Sequence, residues 1–577
     1  MKIPVSKQSE FLARTLRAQS EEYVQKVQSN IKGLFKNKTC HLGFDARIDG
    51  VSGCLLVQFP AHGTPRLGMH FQAHILAHEA PKSLDHELWN SSLAEFLLDS
   101  EQVLEKSEVE VAFRKSSGDS TLGTIGLLGE TSKFRKALEE MLSRGKAPRI
   151  LLGPKPPPLQ YLRNLKTFIE QNSSDLTINL NLQNGLESWH PTTFPERGDH
   201  PSFLLQELES TDELIVQGPP GTGKSHLMAE VCSMALDMGQ SVCAVALTNK
   251  ALMEMVEKPG FEKHLTKGKV SKTNLQYNEG KSQPDLLSAT DLLPAKGAIL
   301  LTTYYKFSSW LSKKATPVPV CDLLIIEEAS QTFLATIAAF RRLARKVIIV
   351  GDPMQLPPIY DEKLARRTHQ EMDRFARGLE YYAANSGVRS FLLNRSHRFG
   401  PAAAQQTAKF YEGRLKSAGD QNPKALSCPK FQSLMPKDGA SVLHGMPING
   451  EGDTPAIAIQ RCVNIVLELK RFNPEIEIAV LAPYIATVTR LQDELAKKLD
   501  LTNLTVETID RIQGLTVDLT IFLIPLQRVS FALDPNRFNV ATSRARRGTI
   551  IITDTTWEYF VGIDKRVISF LKGIPKV

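Results

Sequence analysis

The hydrophobic rhythm of the chain changes three times. Between residues 4 and 36, Val5, Phe11, Leu12, Leu16, Tyr23, Val27, Ile31 and Leu34 recur at roughly helical spacing. This predicts one or two amphipathic helices. The opposite face carries Lys7, Arg14, Arg17, Lys26 and Lys32. A solvated surface is the ordinary reading of such a face and a nucleic-acid contact the sharper one. From 40 to 155 the pattern becomes short apolar or alternating runs (GCLLVQF, MHFQAHIL, VEVAFRK, TIGLLG) separated by DGVSG, KSSGDS and HGTP. That predicts a small β-rich, barrel-like module with one helix near 133–144. The proline cluster at 153–158 punctuates it, helical patterning resumes at LQYLRNLKTFIEQN, and 173–200 reads as loop.

From about residue 211, apolar runs of four to seven residues alternate with helix-length segments. ELIVQ, SVCAVAL, AILLTT, LLIIE and KVIIVG form one series; SFLL, EIAVLAP, LTVETI, LTIFLI and TIIIT form a second. Continuous apolar strands between helices imply parallel sheets buried on both faces, hence two α/β domains. The organisation expected is a helical segment (1–39), a β-rich accessory domain (40–155), a helical stalk and linker (156–200), and α/β domains at 201–365 and 366–577.

Composition narrows the class. The chain has 577 residues, a formal net charge of +8 and seven cysteines. A mild basic excess permits a polyanionic partner without demonstrating one. The cysteines contain no C-x-x-C pair, which disfavours zinc ribbons, and an odd scattered set suits a reducing cytoplasm. The first residues lack an apolar core of signal-peptide length and no run of 18 apolar residues occurs, so a cytoplasmic protein with no membrane span is expected.

The chemistry begins at ELIVQGPPGTGKS, where Gly218, Pro219, Pro220, Gly221, Thr222, Gly223, Lys224 and Ser225 follow a predicted strand and open a helix that continues with His226. Glycines let the backbone curl so that successive N–H groups face phosphate oxygens, at the positive end of a helix. Lys224 reaches the terminal phosphates and the Ser225 hydroxyl can ligate Mg²⁺. About a hundred residues on, the strand of DLLIIEEASQ delivers Glu327 and Glu328. Adjacent carboxylates there can divide the tasks of ordering the metal and positioning the attacking water. A further strand ends in Gly351-Asp352, a common turn by itself, followed by a proline-braced loop carrying Gln355, placed to sense a γ-phosphate. Arg395 and Arg398 lie in LLNRSHRFGP, and Arg537, Arg544, Arg546 and Arg547 in NRFNVATSRARRG. Arginines held across a cleft can neutralise transition-state charge; a surface ion pair is the ordinary alternative for any one of them.

The order of segments is more informative than any one. GPPGTGKS, ALTNKAL, LLTTYYKF, IIEEASQ, VGDPMQLPP, SHRFGP, VLAPYIATV, VETIDRIQGLTVD and NRFNVATSRAR, together with FYEGRLKS, resemble the superfamily 1 helicases, in the branch of the nonsense-mediated-decay helicase. The resemblance covers roughly 211–553. It implies two RecA-like domains with ATP and Mg²⁺ between them, a barrel accessory domain on a helical stalk, and 5′ to 3′ movement on single-stranded DNA or RNA. It assigns Lys224 and Ser225 to phosphate and metal, Glu327 to the metal, Glu328 to catalysis, Gln355 to the γ-phosphate, and Arg398 and Arg544 to the arginine fingers. His397 and Arg537 fall at nucleotide-binding positions. Thr248, Asn249, Thr302, Thr303, Pro483, Tyr484 and Thr508 fall in strand-contacting segments, where Tyr304, Tyr305 and Tyr484 could stack bases as readily as pack in a core. Four departures stand out: Glu327 replaces the usual Asp, His397 the usual Tyr, Thr516 the usual Glu, and no glutamine stands where relatives read adenine. Three readings follow: an ATP-driven translocase or helicase that separates duplexes or displaces bound proteins, an ATP-gated clamp with weak turnover, and a motor subordinate to an N-terminal docking module for a protein partner.

Overall fold

The structure, a computed structural model, describes residues 5–577 except 51–52, 61–62, 67, 78–82, 100, 116–121, 173–179, 181, 196–197, 313–318, 359, 361–370, 420–425, 438, 449, 500–502, 513 and 528. The apolar stripe at the start forms α1 (Val5–Gln28) and α2 (Ile31–Lys36), the latter capped by the Asn30 side chain. The basic face of α1 is laced to its own helix, Arg14 to Glu10 and Lys26 to Glu22, while Lys32 reaches Asp85 at 3.2 Å.

Strands β1 (His41–Ile48), β2 (Leu55–Pro60), β3 (His70–Leu76), β4 (Val103–Lys115), β5 (Leu122–Leu128) and β6 (Arg149–Gly153) close into an antiparallel barrel of order β1-β2-β5-β4-β3-β6, with α3 (Leu93–Leu98) and α4 (Ser132–Ser143) between strands. Alternation along the strands turns Leu55, Val57, Phe59, Ile125 and Leu127 inward, and closure leaves no edge exposed. The barrel hangs on α1 and on α5 (Leu159–Gln171). Phe11 packs against Phe333 (5.5 Å between ring centres) and Phe375 (5.9 Å), and the Tyr161 hydroxyl bonds Thr336.

The next sheet contains β7 (Thr192–Thr193), β8 (Glu213–Gln217), β9 (Val242–Ala246), β10 (Val270–Lys272), β11 (Leu287–Ser288), β12 (Ile299–Thr303), β13 (Cys321–Ile326), β14 (Ala344–Gly351) and β15 (Ser390–Leu392), in the order β11-β10-β12-β9-β13-β14-β8-β15-β7. Its helices include α6 (His200–Ser210), α7 (Lys224–Asp237) and α8 (Asn249–Val256). This corrects the sequence reading: SFLL, expected in the second series, is β15 and pairs with β8, Phe391 opposite Val216. Helices 371–376 and 378–385 pack on the same sheet through Phe375, Leu379 and Tyr382. An expected boundary at 365/366 therefore falls inside the first lobe. A short all-apolar run announces a buried strand but not which sheet buries it.

A two-stranded ribbon, β16 (Arg395–Ser396) with β17 (Lys416–Ser417), leads to the second sheet: β18 (Val442–Met446), β19 (Ile478–Ala482), β20 (Leu504–Thr508), β21 (Leu519–Leu523) and β22 (Thr549–Asp554), all parallel in the order β18-β22-β21-β19-β20. β18, sequence VLHGM, escaped the pattern because His444 and Gly445 interrupt it. The chain thus carries two RecA-like α/β lobes with parallel sheets, plus helices and a barrel at its N-terminal side. The barrel and second-lobe cores are continuous, and Arg114 of β4 lies 3.8 Å from Asp493. Among the described residues no helix is long and apolar enough to cross a membrane.

Candidate active site

The loop after β8 is shaped by two glycines at positive φ, Gly221 (+75°) and Gly223 (+80°). The Lys224 ammonium folds back onto the Gly218 carbonyl, and the Thr222 hydroxyl donates to the Pro219 carbonyl at 2.8 Å. No side chain caps the first turn of α7, so its amides are free to serve an anion. A Cβ on Gly221 would lie 2.4 Å from Arg398 Cβ. The arginine-bearing segment after β15 is docked there: Ser396 Oγ donates to the Pro220 carbonyl at 3.0 Å, and the His397 amide donates to the Gly221 carbonyl at 2.8 Å.

β13 delivers Glu327 and Glu328 beside this loop. Glu327 is buried, and its Oε1 has no hydrogen-bond partner. Glu328 adopts a left-handed conformation (φ +53°). Burial pushes each carboxyl up to about 7; Glu328 adds to the rise at Glu327, Glu254 adds to that at Glu328, and Lys224 opposes both. No cluster of three or more His, Cys, Asp or Glu suited to a metal occurs among the described residues. A hard cation here would rest on Ser225, Glu327 and the ligand's own phosphates, as Mg²⁺ commonly does. The unpartnered Glu327 oxygen fits that use.

Asp352, which the sequence reading passed over as part of a turn, is a buried hub. It accepts from Tyr411 (2.7 Å), Gln355 (3.1 Å), the Met354 amide (3.2 Å) and Gln217 (3.3 Å). Helix 535–542 of the second lobe grips the same loop. Asn536 donates to the Pro353 and Gln355 carbonyls (2.8 and 2.5 Å), and Asn539 to the Met354 carbonyl and the Tyr411 hydroxyl (both 2.8 Å).

Two guanidiniums face the loop from the far wall. Arg398 donates to the Ser543 carbonyl (2.7 Å) and to Thr516 Oγ (2.6 Å); Arg544 donates to the Val540 carbonyl (2.9 Å) and Ser543 Oγ (3.2 Å). Burial lowers both, Arg398 to about 9 with Arg544 and Arg546 repelling it, and Arg544 to about 10. A cavity of about 550 Å³ joins these walls. Its lining includes Pro220 to His226, Lys250, Glu254, Glu327, Glu328, Gln355, Arg398, Thr516 and Arg544.

Four expected nucleotide contacts are absent from the cavity lining: Gly218 and Pro219 of the loop itself, and His397 and Arg537. Arg537 pairs with Asp510 (3.0 Å) and lies 3.9 Å over the Phe531 ring. His397 is exposed and, like Arg537, is absent from the cavity lining. Among the expected strand contacts, Thr248 is exposed and caps α8, and the Oδ1 of Asn249 is buried without a partner. Thr303 caps helix 304–307. Pro483 is buried, and Tyr484 stacks on Phe531 at 6.1 Å. The Thr508 amide donates to the Glu507 carboxylate at 2.7 Å. Thr302 is a correction: it is fully buried, its hydroxyl 2.8 Å from that of Thr273, because it precedes the half-buried end of β12. Tyr304 is core as well, its hydroxyl on the Glu327 carbonyl, whereas Tyr305 is 39% exposed.

Two family models, each described as an AAA domain, match residues 204–377 and 379–556. The chain is 26% identical over 381 residues to replicase polyprotein 1ab of Alphamesonivirus 1, covering 61% of this chain and 7% of that protein. It is 28% identical over 265 residues to helicase sen1 of Schizosaccharomyces pombe (41% and 15%) and 25% identical over 401 residues to the regulator of nonsense transcripts 1 homolog of Drosophila melanogaster (59% and 32%). The chain spans less than a third of the length of each of these three relatives. With two parallel-sheet lobes facing each other across a phosphate loop, a family model matching along each, and helicase relatives, the chain belongs to the superfamily 1 helicases of the nonsense-mediated-decay-helicase branch.

Proposed function

We propose that this chain is an ATP-driven translocase of single-stranded nucleic acid that moves 5′ to 3′ and separates duplexes or displaces bound proteins. The observation that carries the reading is the cavity shared by the glycine loop of one lobe and the arginines of the other. In this reading Gly218 to Ser225 cradle the phosphates and Lys224 neutralises their terminal charge. Mg²⁺, held by Ser225 and Glu327, supplies positive charge to the phosphate oxygens when bound. Glu328 orients and deprotonates the attacking water. Gln355 senses the terminal phosphate and reports it to helix 535–542 through the loop that Asn536 and Asn539 grip. Arg398 and Arg544 stabilise developing charge and link hydrolysis to lobe closure. Thr248, Asn249, Thr303, Pro483, Tyr484 and Thr508 hold the strand by its backbone, without reading sequence.

The second reading, an ATP-gated clamp with slow turnover, draws on Glu327. Its extra methylene, where the family has Asp, disfavours tight octahedral metal geometry. Hydrolysis measured with matched DNA and RNA oligomers, beside unwinding of 5′- and 3′-tailed duplexes, decides between them. A translocase shows at least tenfold stimulation by strand and unwinds from the 5′ tail; a clamp binds strand in an ATP-dependent way without either.

A further inference from the structure

The nucleotide cavity is lined by five cationic side chains and four carboxylates. Three of the carboxylates already have work in the reading above: Glu327, Glu328 and the hub Asp352. Glu254 has none. It is half-buried on α8, the eight-residue helix that Thr248 caps. Glu254 therefore stands six residues from a proposed strand contact, about 9 Å along one rigid helix. It also meets the second lobe: a Cβ built on Gly514 would lie 3.7 Å from Glu254 Oε1. Arg398 and Arg544 both feel its charge, and its carboxyl is itself raised, by burial first.

We propose that Glu254 is a positioning residue that couples strand binding to hydrolysis by competing with the terminal phosphate for the two cavity arginines. The inference rests on the function proposed above. A carboxylate opposite the arginines repels a triphosphate and attracts the guanidiniums that the triphosphate needs. Without strand, Glu254 keeps Arg398 and Arg544 partly turned away from the phosphate. A nucleic-acid backbone against Thr248, at the start of α8, shifts the helix, draws Glu254 back, and frees the arginines. A tenfold effect on rate asks for about 1.4 kcal/mol of difference between the two arrangements.

The test measures steady-state ATP hydrolysis, with and without a (dT)₂₀ or (U)₂₀ oligomer, for the full chain, Glu254→Gln and Glu254→Asp, with Lys224→Ala as the control for hydrolysis at this cavity. Glu254→Gln is expected to raise strand-free kcat about tenfold and to shrink the stimulation ratio by the same factor, with stimulated kcat changed less than twofold. Glu254→Asp, which keeps the charge, retains most of the stimulation. A merely structural role lowers both rates and the melting temperature together, and that result, or a strand-free rate at or below the parent's, overturns the proposal. A parent protein whose hydrolysis survives Lys224→Ala overturns the proposed function and this inference with it.

Discussion

Glu327 and Glu328 sit where burial disfavours the charged form, and each is pushed from 4.5 to about 7. The folded chain therefore holds more protons than the unfolded chain between those values. Stability from this source is complete below pH 4.5, falls as pH rises, and is gone above about 7. In nucleotide-free, metal-free protein, Glu327→Gln is expected to be near neutral at pH 5 and to raise stability by roughly 1–3 kcal/mol at pH 7.5. Denaturant melts at the two pH values check this; an equal effect at both would contradict it. Gly221 makes a second residue-scale prediction. Its positive φ and the 2.4 Å approach to Arg398 leave no room for a methyl group. Gly221→Ala is expected to cost about 1–3 kcal/mol and to lower kcat at least tenfold by moving the arginine segment, measured by melting and by hydrolysis on the same preparation.

At the scale of elements, the glycine loop and its flanking strand and helix were legible because their chemistry is local. So were the barrel strands and α1, whose periodicity is strong. Contacts across the chain were not. Thr302 and Thr303 are neighbours in sequence, yet only their positions on β12 separate a buried hydroxyl from a helix cap. Asp352 reads as a turn until Tyr411 and Gln217 are folded onto it. Asn536 and Asn539 read as ordinary helix residues until they reach the 353–355 carbonyls, 180-odd residues away. This grip makes a prediction of its own. Asn539→Ala leaves the Met354 carbonyl and the Tyr411 hydroxyl each short of a donor, costing about 1–3 kcal/mol. It is also expected to weaken the response of kcat to strand while leaving the ATP KM within threefold; an unchanged strand response would show that the grip is structural alone.

At the scale of the whole molecule, three bodies meet: a barrel hung on α1 and α5, a first lobe that extends to β15, and a second lobe whose core runs into the barrel's. The order of motifs along the chain foretold the lobes; it could not foretell where the first one ends, because a strand's partner is a tertiary fact. Phe11 anchors the stalk against Phe333 and Phe375. Phe11→Ala is expected to cost about 3–5 kcal/mol, seen as a loss of cooperative melting or an earlier separate transition for the barrel and stalk. The account as a whole depends on hydrolysis at the cleft between the lobes. Its most direct test is ATP hydrolysis by the parent chain and by Arg544→Ala across a titration of single-stranded oligomer. The account predicts strand stimulation of at least tenfold in the parent and a loss of at least a hundredfold in kcat, at similar KM, in the variant. Equal rates in the two proteins at every strand concentration would contradict it.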